Sequence, residues 1–198
     1  MRIDPDGMDE WEINKQGEIK AKIETKEHDA IFILDNDNNR IEDKSISFKY
    51  GTVTKSFKSH TSDGDQYDVY TMRGDENGKE LFEFLADNTA VEWSLTQFGK
   101  EGSKGLDFII TSHMGAKERG LTDLIPKQLK YGYYMRNTSH SHPGRTRLPS
   151  GLDDRHLDIG FSRNIQSIFG NNVKFSIYIP NENTYIPYTP DSKREDFE

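Results

Sequence analysis

The sequence predicts an α/β (α+β) chain with a β-rich lead-in, and three observations carry that reading. Apolar and polar residues alternate with period two through much of the first 75 residues, broken by turn clusters. Two later segments repeat apolar residues at helical spacing: Leu81, Phe82, Leu85 and Ala86, then Leu157, Phe161, Ile165, Ile168 and Phe169. Strand-like runs lie between and after these two helices. The expected division is a hairpin-rich segment over 1–75, a mixed α/β domain over 76–190 and a flexible tail over 191–198.

Composition narrows the class. The chain has 198 residues, of which 32% are hydrophobic and 11% aromatic. Mean hydropathy is -0.87, so the core is modest and the aromatics must supply much of it. The formal net charge of -8 repels phosphate backbones, so no nucleic-acid partner is expected. The absence of cysteine removes disulfides and thiolate metal ligands. No apolar run approaches the roughly 20 residues of a membrane span, and no apolar segment of signal-peptide type opens the chain. Export would therefore depend on another segment or machine.

In chain order, Trp11 and Ile13 alternate with polar residues, Lys15-Gln16-Gly17 turns, and Ile19, Ala21 and Ile23 alternate again. Residues 30–34 form an apolar strand that ends in Asp35-Asn36-Asp37-Asn38-Asn39. That acidic run is not a calcium loop, because Arg40 stands where the EF-hand glycine belongs and Ile46 where the bidentate Glu belongs. Strands over 45–50 and 67–72 flank a polar loop with His60 and Asp63. Asn77 and Glu80 suit a helix start, with an end near Asn88. A strand is expected over 89–98, with Val91, Trp93 and Leu95 on one face and Glu92, Ser94 and Thr96 on the other. Another follows over 105–113, where His113 reads as structural, and then a short helix over 121–125 halted by Pro126. The stripe from Leu157 to Phe169 reads as core. Strands over 173–179 and 185–188 complete the order.

The chemistry concentrates in YGYYMRNTSHSHPGRTRLPSGLDD, residues 131–154. If the run from Tyr131 is a strand, His140 and His142 share a face. Ser150 and Asp153 follow a turn, with Asp153 eleven positions after His142. Two neutral imidazoles and a carboxylate make a hydrolytic zinc site when a fourth position stays open for water. Such a site also needs a proton shuttle, usually a Glu, and gains from a hydroxyl aimed at a developing oxyanion. Ser150-x-x-Asp153 equally reads as a capping box for the following helix, compatible with a site. His156, in that helix's first turn, reads as a capping or surface residue.

His140-Ser141-His142-Pro143, with Ser150 and Asp153 at this spacing, resembles the JAB/JAMM (MPN) zinc metalloprotease family. The resemblance implies a curved mixed sheet flanked by helices. It implies zinc on His140, His142 and Asp153, Ser150 polarising the scissile carbonyl, and an upstream Glu as general acid/base. Glu92 is the best positional match for that Glu, with Glu83 and Glu101 as alternatives, although Trp93-Ser94-Leu95 is bulkier than what usually follows it. The opening Ile3-Asp4-Pro5-Asp6-Gly7-Met8-Asp9 is similar to the junction that ends the core of Rhs-type polymorphic toxins. Together these imply a JAB-like toxin domain, a secreted or delivered bacterial effector that hydrolyses a peptide or isopeptide bond. Its partners would be a protein or peptide substrate and an immunity protein. A metal-dependent nuclease toxin and a non-catalytic binding module are the other readings.

Overall fold

The computed structural model describes residues 9–25, 28–129, 132–154 and 157–197. Residues 3–8 of the Rhs-like opening and His156 lie outside that set.

Among the described residues, two β-sheets and three α-helices make up an α+β architecture. The smaller sheet holds β1 (Asp9–Ile13), β2 (Ile19–Glu24), β3 (Asp29–Leu34) and β4 (Arg40–Phe48) in the order β2-β1-β3-β4. The larger sheet holds β5 (Val53–His60), β6 (Gln66–Arg73), β7 (Ser94–Phe98), β8 (Leu106–Thr111), β9 (Met135–Ser141), β10 (Lys174–Ile179) and β11 (Thr184–Tyr188). Its order is β11-β10-β9-β7-β8-β6-β5. The helices are α1 (Asp75–Asn88), α2 (Gly120–Leu129) and α3 (Leu157–Phe169). Two strands from before residue 75 therefore sit in the large sheet, so the division expected there falls inside one layer.

Within the large sheet β9 and β10 run parallel and the other pairs antiparallel. A parallel pair needs a crossover, and α3 supplies it between β9 and β10. This β-α-β unit sets the start of α3 beside the end of β9, where both histidines lie.

Each face of the large sheet is covered. Leu121, Leu124 and Ile125 of α2 and Ile159, Ile165 and Phe169 of α3 pack with Tyr67, Phe108, Ile110 and Ile177 on one face. Leu81, Phe82 and Leu85 of α1 join Trp11, Ile31 and Ile33 of the small sheet over Tyr70, Trp93 and Ile109 on the other. Trp11 and Tyr70 meet edge to face at 6.0 Å, and the Trp11 Nε1–H donates to Ser56 Oγ at 2.9 Å. The small sheet is thus anchored through Trp11.

Several sequence expectations shift. Helix α1 starts at Asp75 behind Gly74, and the Asn77 amide instead donates back to the Arg73 carbonyl at 2.8 Å. Residues 89–93 precede the strand rather than belonging to it. Pro126 lies inside α2, whose buried Leu121, Leu124 and Ile125 hold the helix against the sheet past the missing N–H. In α3 the buried face is Ile159, Ser162, Ile165 and Phe169, while Leu157 and Ile168 are exposed. Leu157 stands at the helix start with φ 51, before the helical face is set.

Candidate metal centre

The two histidines owe their alignment to the strand. His140 is the penultimate residue of β9, paired to Ser94 of β7 and Ile177 of β10. His142 prolongs the strand direction, because its N–H donates to the Tyr178 carbonyl at 3.0 Å. Period two then puts both rings on the face that α2 and α3 cover. Their Nε2 atoms are 3.0 Å apart and the ring centroids 4.8 Å.

Glu92 reaches the same point from the segment before β7. Its N–H donates to the Met114 carbonyl at 2.8 Å, and its carbonyl accepts the Thr111 hydroxyl at 2.9 Å. The next residue is tied to the histidine strand: the Trp93 N–H donates to Ser141 Oγ at 3.0 Å, and the Ser141 N–H to the Trp93 carbonyl at 2.8 Å. Trp93 is fully buried on the opposite face. That anchoring turns Glu92 toward the rings. Among the described residues, Glu92, His140 and His142 form one group whose ligand atoms all lie within 4.8 Å of one another.

The donor set fits a divalent metal. His142 Nδ1 lies 2.7 Å from the Thr146 carbonyl, a contact that requires the proton on Nδ1 and leaves the Nε2 lone pair facing His140. Two ligand atoms of a tetrahedral zinc shell sit roughly 3.3 Å apart, close to the observed separation of the nitrogens.

Ser150 and Asp153 part company. Ser150 faces the start of α3: its N–H donates to Asp158 Oδ2 at 2.7 Å, and the Asp158 N–H donates to Ser150 Oγ at 3.3 Å. The capping relation expected with Asp153 is thus made with Asp158. Asp153 does not join the histidines. Its side chain is 83% exposed and accepts from Arg194 at 3.1 Å. The cause is local: residues 150–154 are a turn with Gly151 at φ 78, and α3 begins only at Leu157, so Asp153 is carried to the rim. Glu83 is tied to α1 and pairs with Lys79 at 3.7 Å, and Glu101 is exposed ahead of a 3₁₀ turn.

Two acids at the site were not singled out from the sequence. Asp158 lies with Oδ2 3.3 Å from His140 Nε2. Glu118 accepts the N–H groups of Gly120 at 2.6 Å and Leu121 at 3.1 Å at the start of α2, and the Ser94 hydroxyl at 3.0 Å. An acid in the first turn of a helix is the sequence signal that marks Asp158.

Electrostatics follow from burial and these neighbours. Burial pushes the Glu92 carboxyl up to about 7, with His140 opposing and Asp158 and Glu118 adding to the rise. Burial pulls the His140 imidazole down, but Asp158, with Glu92 and Glu118 adding to it, holds the ring above the usual histidine range. Burial and the charge of His140 lower His142. Burial opposes ionisation of Asp158, yet His140 and the Ser150 N–H hold it well below the usual carboxylate range. The cavity over these groups measures about 880 Å³, and Leu148, Leu157, Phe161 and Tyr188 give it apolar walls.

No curated protein matches the chain. A family model does: JAB-like toxin 1 matches residues 70–163, from β6 through the first half of α3. That stretch carries Glu92, both histidines, Ser150 and Asp158, and the match supports a JAB-like toxin domain here.

Proposed function

We propose that this chain is a metal-dependent hydrolase that cleaves a peptide or isopeptide bond in a protein target, acting as a delivered bacterial toxin or effector domain. One observation carries the reading: Glu92, His140 and His142 converge within 4.8 Å at the floor of an open cavity, inside the stretch that resembles JAB-like toxins. His140 and His142 would hold zinc together with a carboxylate. Bound zinc supplies Lewis acidity and makes water a nucleophile near neutral pH.

The chain's own groups take the remaining roles. Glu92 accepts a proton from the attacking water and delivers it to the leaving nitrogen. A carboxyl pushed up to about 7 suits both transfers near neutral pH. Ser150 Oγ accepts from the Asp158 N–H, which leaves its own proton to donate to the developing oxyanion. The apolar walls exclude water from the reacting bond. The proposed partners are a protein or peptide substrate and an immunity protein that covers the cavity.

The test is zinc content of the purified chain alongside peptidase and isopeptidase assays of wild type and Glu92→Gln. The expected result is stoichiometric zinc, cleavage by wild type and loss of at least about 100-fold in the variant, which keeps its metal. A chain that rejects added zinc, or plasmid cleavage without peptide cleavage, would overturn the reading.

A further inference from the structure

We propose that Tyr188 is a further catalytic residue: its phenolic hydroxyl donates a hydrogen bond to the carbonyl oxygen of the scissile bond and holds that oxygen as negative charge builds on it. The inference rests on the hydrolase reading above and goes further, because it adds a donor from the sheet to the Ser150 hydroxyl from the loop before α3.

The register of the sheet carries Tyr188 to the face of the histidines. It pairs with Phe175 of β10, which pairs with Thr138 of β9, two residues before His140. Side chains along such a row share a face, and Thr138, His140 and Tyr188 all line the cavity. The phenol ring is set from two sides. It meets the His140 ring edge to face at 6.2 Å and the Phe175 ring at 5.7 Å. A side chain packed in this way is positioned before substrate arrives.

Its hydroxyl is the unexplained group. Tyr188 is only 4% exposed, yet among the described residues its hydroxyl has no hydrogen-bond partner. Tyr67 and Tyr178, equally buried, donate to Asp123 at 2.6 Å and to Asp87 at 3.0 Å. Tyr70 is unpaired as well, but it sits in the core beneath the small sheet and does not line this cavity. A buried hydroxyl without a partner destabilises the fold, and phenylalanine would fill the same space without that cost. Tyr188 lines the cavity, where a bound molecule can complete the bond.

Donation suits the surroundings. Burial, with the charges of Asp158 and Glu92, holds the phenol well above the ordinary tyrosine value, so it keeps its proton. That both acids act on the hydroxyl puts it on the metal-centre side of the cavity. A carbonyl oxygen that turns negative beside these acids is repelled by them, and a fixed O–H dipole offsets that repulsion.

The test compares full-length wild type, Tyr188→Phe and Tyr185→Phe, each loaded with zinc. Tyr185 is on the same strand but turned toward Lys79 of α1, so its variant makes the same change on the opposite face. The probes are fluorescently labelled casein and a phosphinic pseudopeptide, whose tetrahedral phosphorus oxygens imitate the transition state. Tyr188→Phe should lower kcat by about 100-fold, keep KM within about 2-fold of wild type, and weaken phosphinic-peptide binding by a factor similar to the loss in kcat. Its Tm should equal or exceed that of wild type, because an unpaired buried hydroxyl has been removed. A purely structural role gives the reverse, a lower Tm with kcat retained. Tyr185→Phe should match wild type in kcat and binding. Tyr188→Phe with kcat within about 10-fold of wild type overturns the assignment, as does an equal loss in Tyr185→Phe. Wild type that neither cleaves casein nor binds the phosphinic peptide overturns the hydrolase reading and this inference with it. Wild type alone decides that outcome, which separates it from a failure of the Tyr188 assignment.

Discussion

Ser150 and Asp158 grip one another across eight residues of chain, the backbone N–H of each donating to the side chain of the other at 2.7 and 3.3 Å. This reciprocal pair closes the loop between the histidine strand and α3, so one serine both fixes the helix start and faces the cavity. Ser150→Ala separates the two roles. Loss of the cap costs about 1 kcal/mol, read as a fall in Tm of roughly 2–4 °C. Loss of the hydroxyl at the oxyanion position lowers kcat about 100-fold or more with KM little changed. A variant with the Tm shift but full kcat would leave Ser150 with the structural role alone.

Gly78 lets α1 lie on the sheet. A Cβ built there would stand 2.0 Å from Asp107 Oδ2 and 2.6 Å from Asp107 Cβ. Asp107 is fully buried and accepts from the Gln97 amide at 3.2 Å, so it has little room to yield. Alanine is the better helix former by about 1 kcal/mol, yet here the clash outweighs that gain. Gly78→Ala is expected to destabilise the fold by about 2 kcal/mol or more. A chemical denaturation series measures it, and a neutral or stabilised variant would contradict the close approach.

The parts of the site that the sequence exposed are those governed by a short period. Two residues apart on a strand means one face, so His140 and His142 were legible as a pair. Glu92 was legible by its place upstream, although the strand begins only at Ser94 and its orientation comes instead from the buried Trp93 behind it. The carboxylate of Asp158 beside His140 was not legible. Asp153, Asp154 and Asp158 follow Ser150 closely, and which one meets His140 depends on how far the turn runs before α3 begins. Strand β5 was missed for a related reason. Only Val53 of its eight residues is buried, so this edge strand shows little apolar alternation. Residues 67–72 show the converse: buried throughout, they form the interior strand β6, and no local pattern says which sheet it joins.

Asp153 and Arg194 meet at 3.1 Å on the surface, with side chains 83% and 53% exposed. Water and salt screen such a pair, and ordering two mobile side chains opposes its small attraction. Asp153→Ala, Arg194→Ala and the double variant should therefore all melt with wild type, with no coupling in the double-mutant cycle. A clear coupling would show that this pair holds the site rim in place.

Glu92 gives the metal-free protein a dependence on pH whose direction follows from its burial. Its carboxyl is pushed up from the ordinary glutamate value to about 7, so the folded chain binds that proton more tightly than the unfolded chain does. The resulting stabilisation is complete below the unfolded pKa, near 4.3, and is lost as pH rises through about 7. The fold should lose up to about 3 kcal/mol from this one group between about pH 4 and pH 8. Glu92→Gln carries no such proton. With a chelator present, urea denaturation of both proteins across this range should give curves that diverge: relative to the variant, wild type falls steadily as pH rises, and the variant is the more stable above pH 7. Zinc should reverse the ranking of conditions, because metal bound at the histidines places a positive charge beside the carboxylate and favours its ionised form. Parallel curves for wild type and variant in the chelator series would mean that the Glu92 carboxyl is solvated, and would remove the physical basis for its role as the proton carrier.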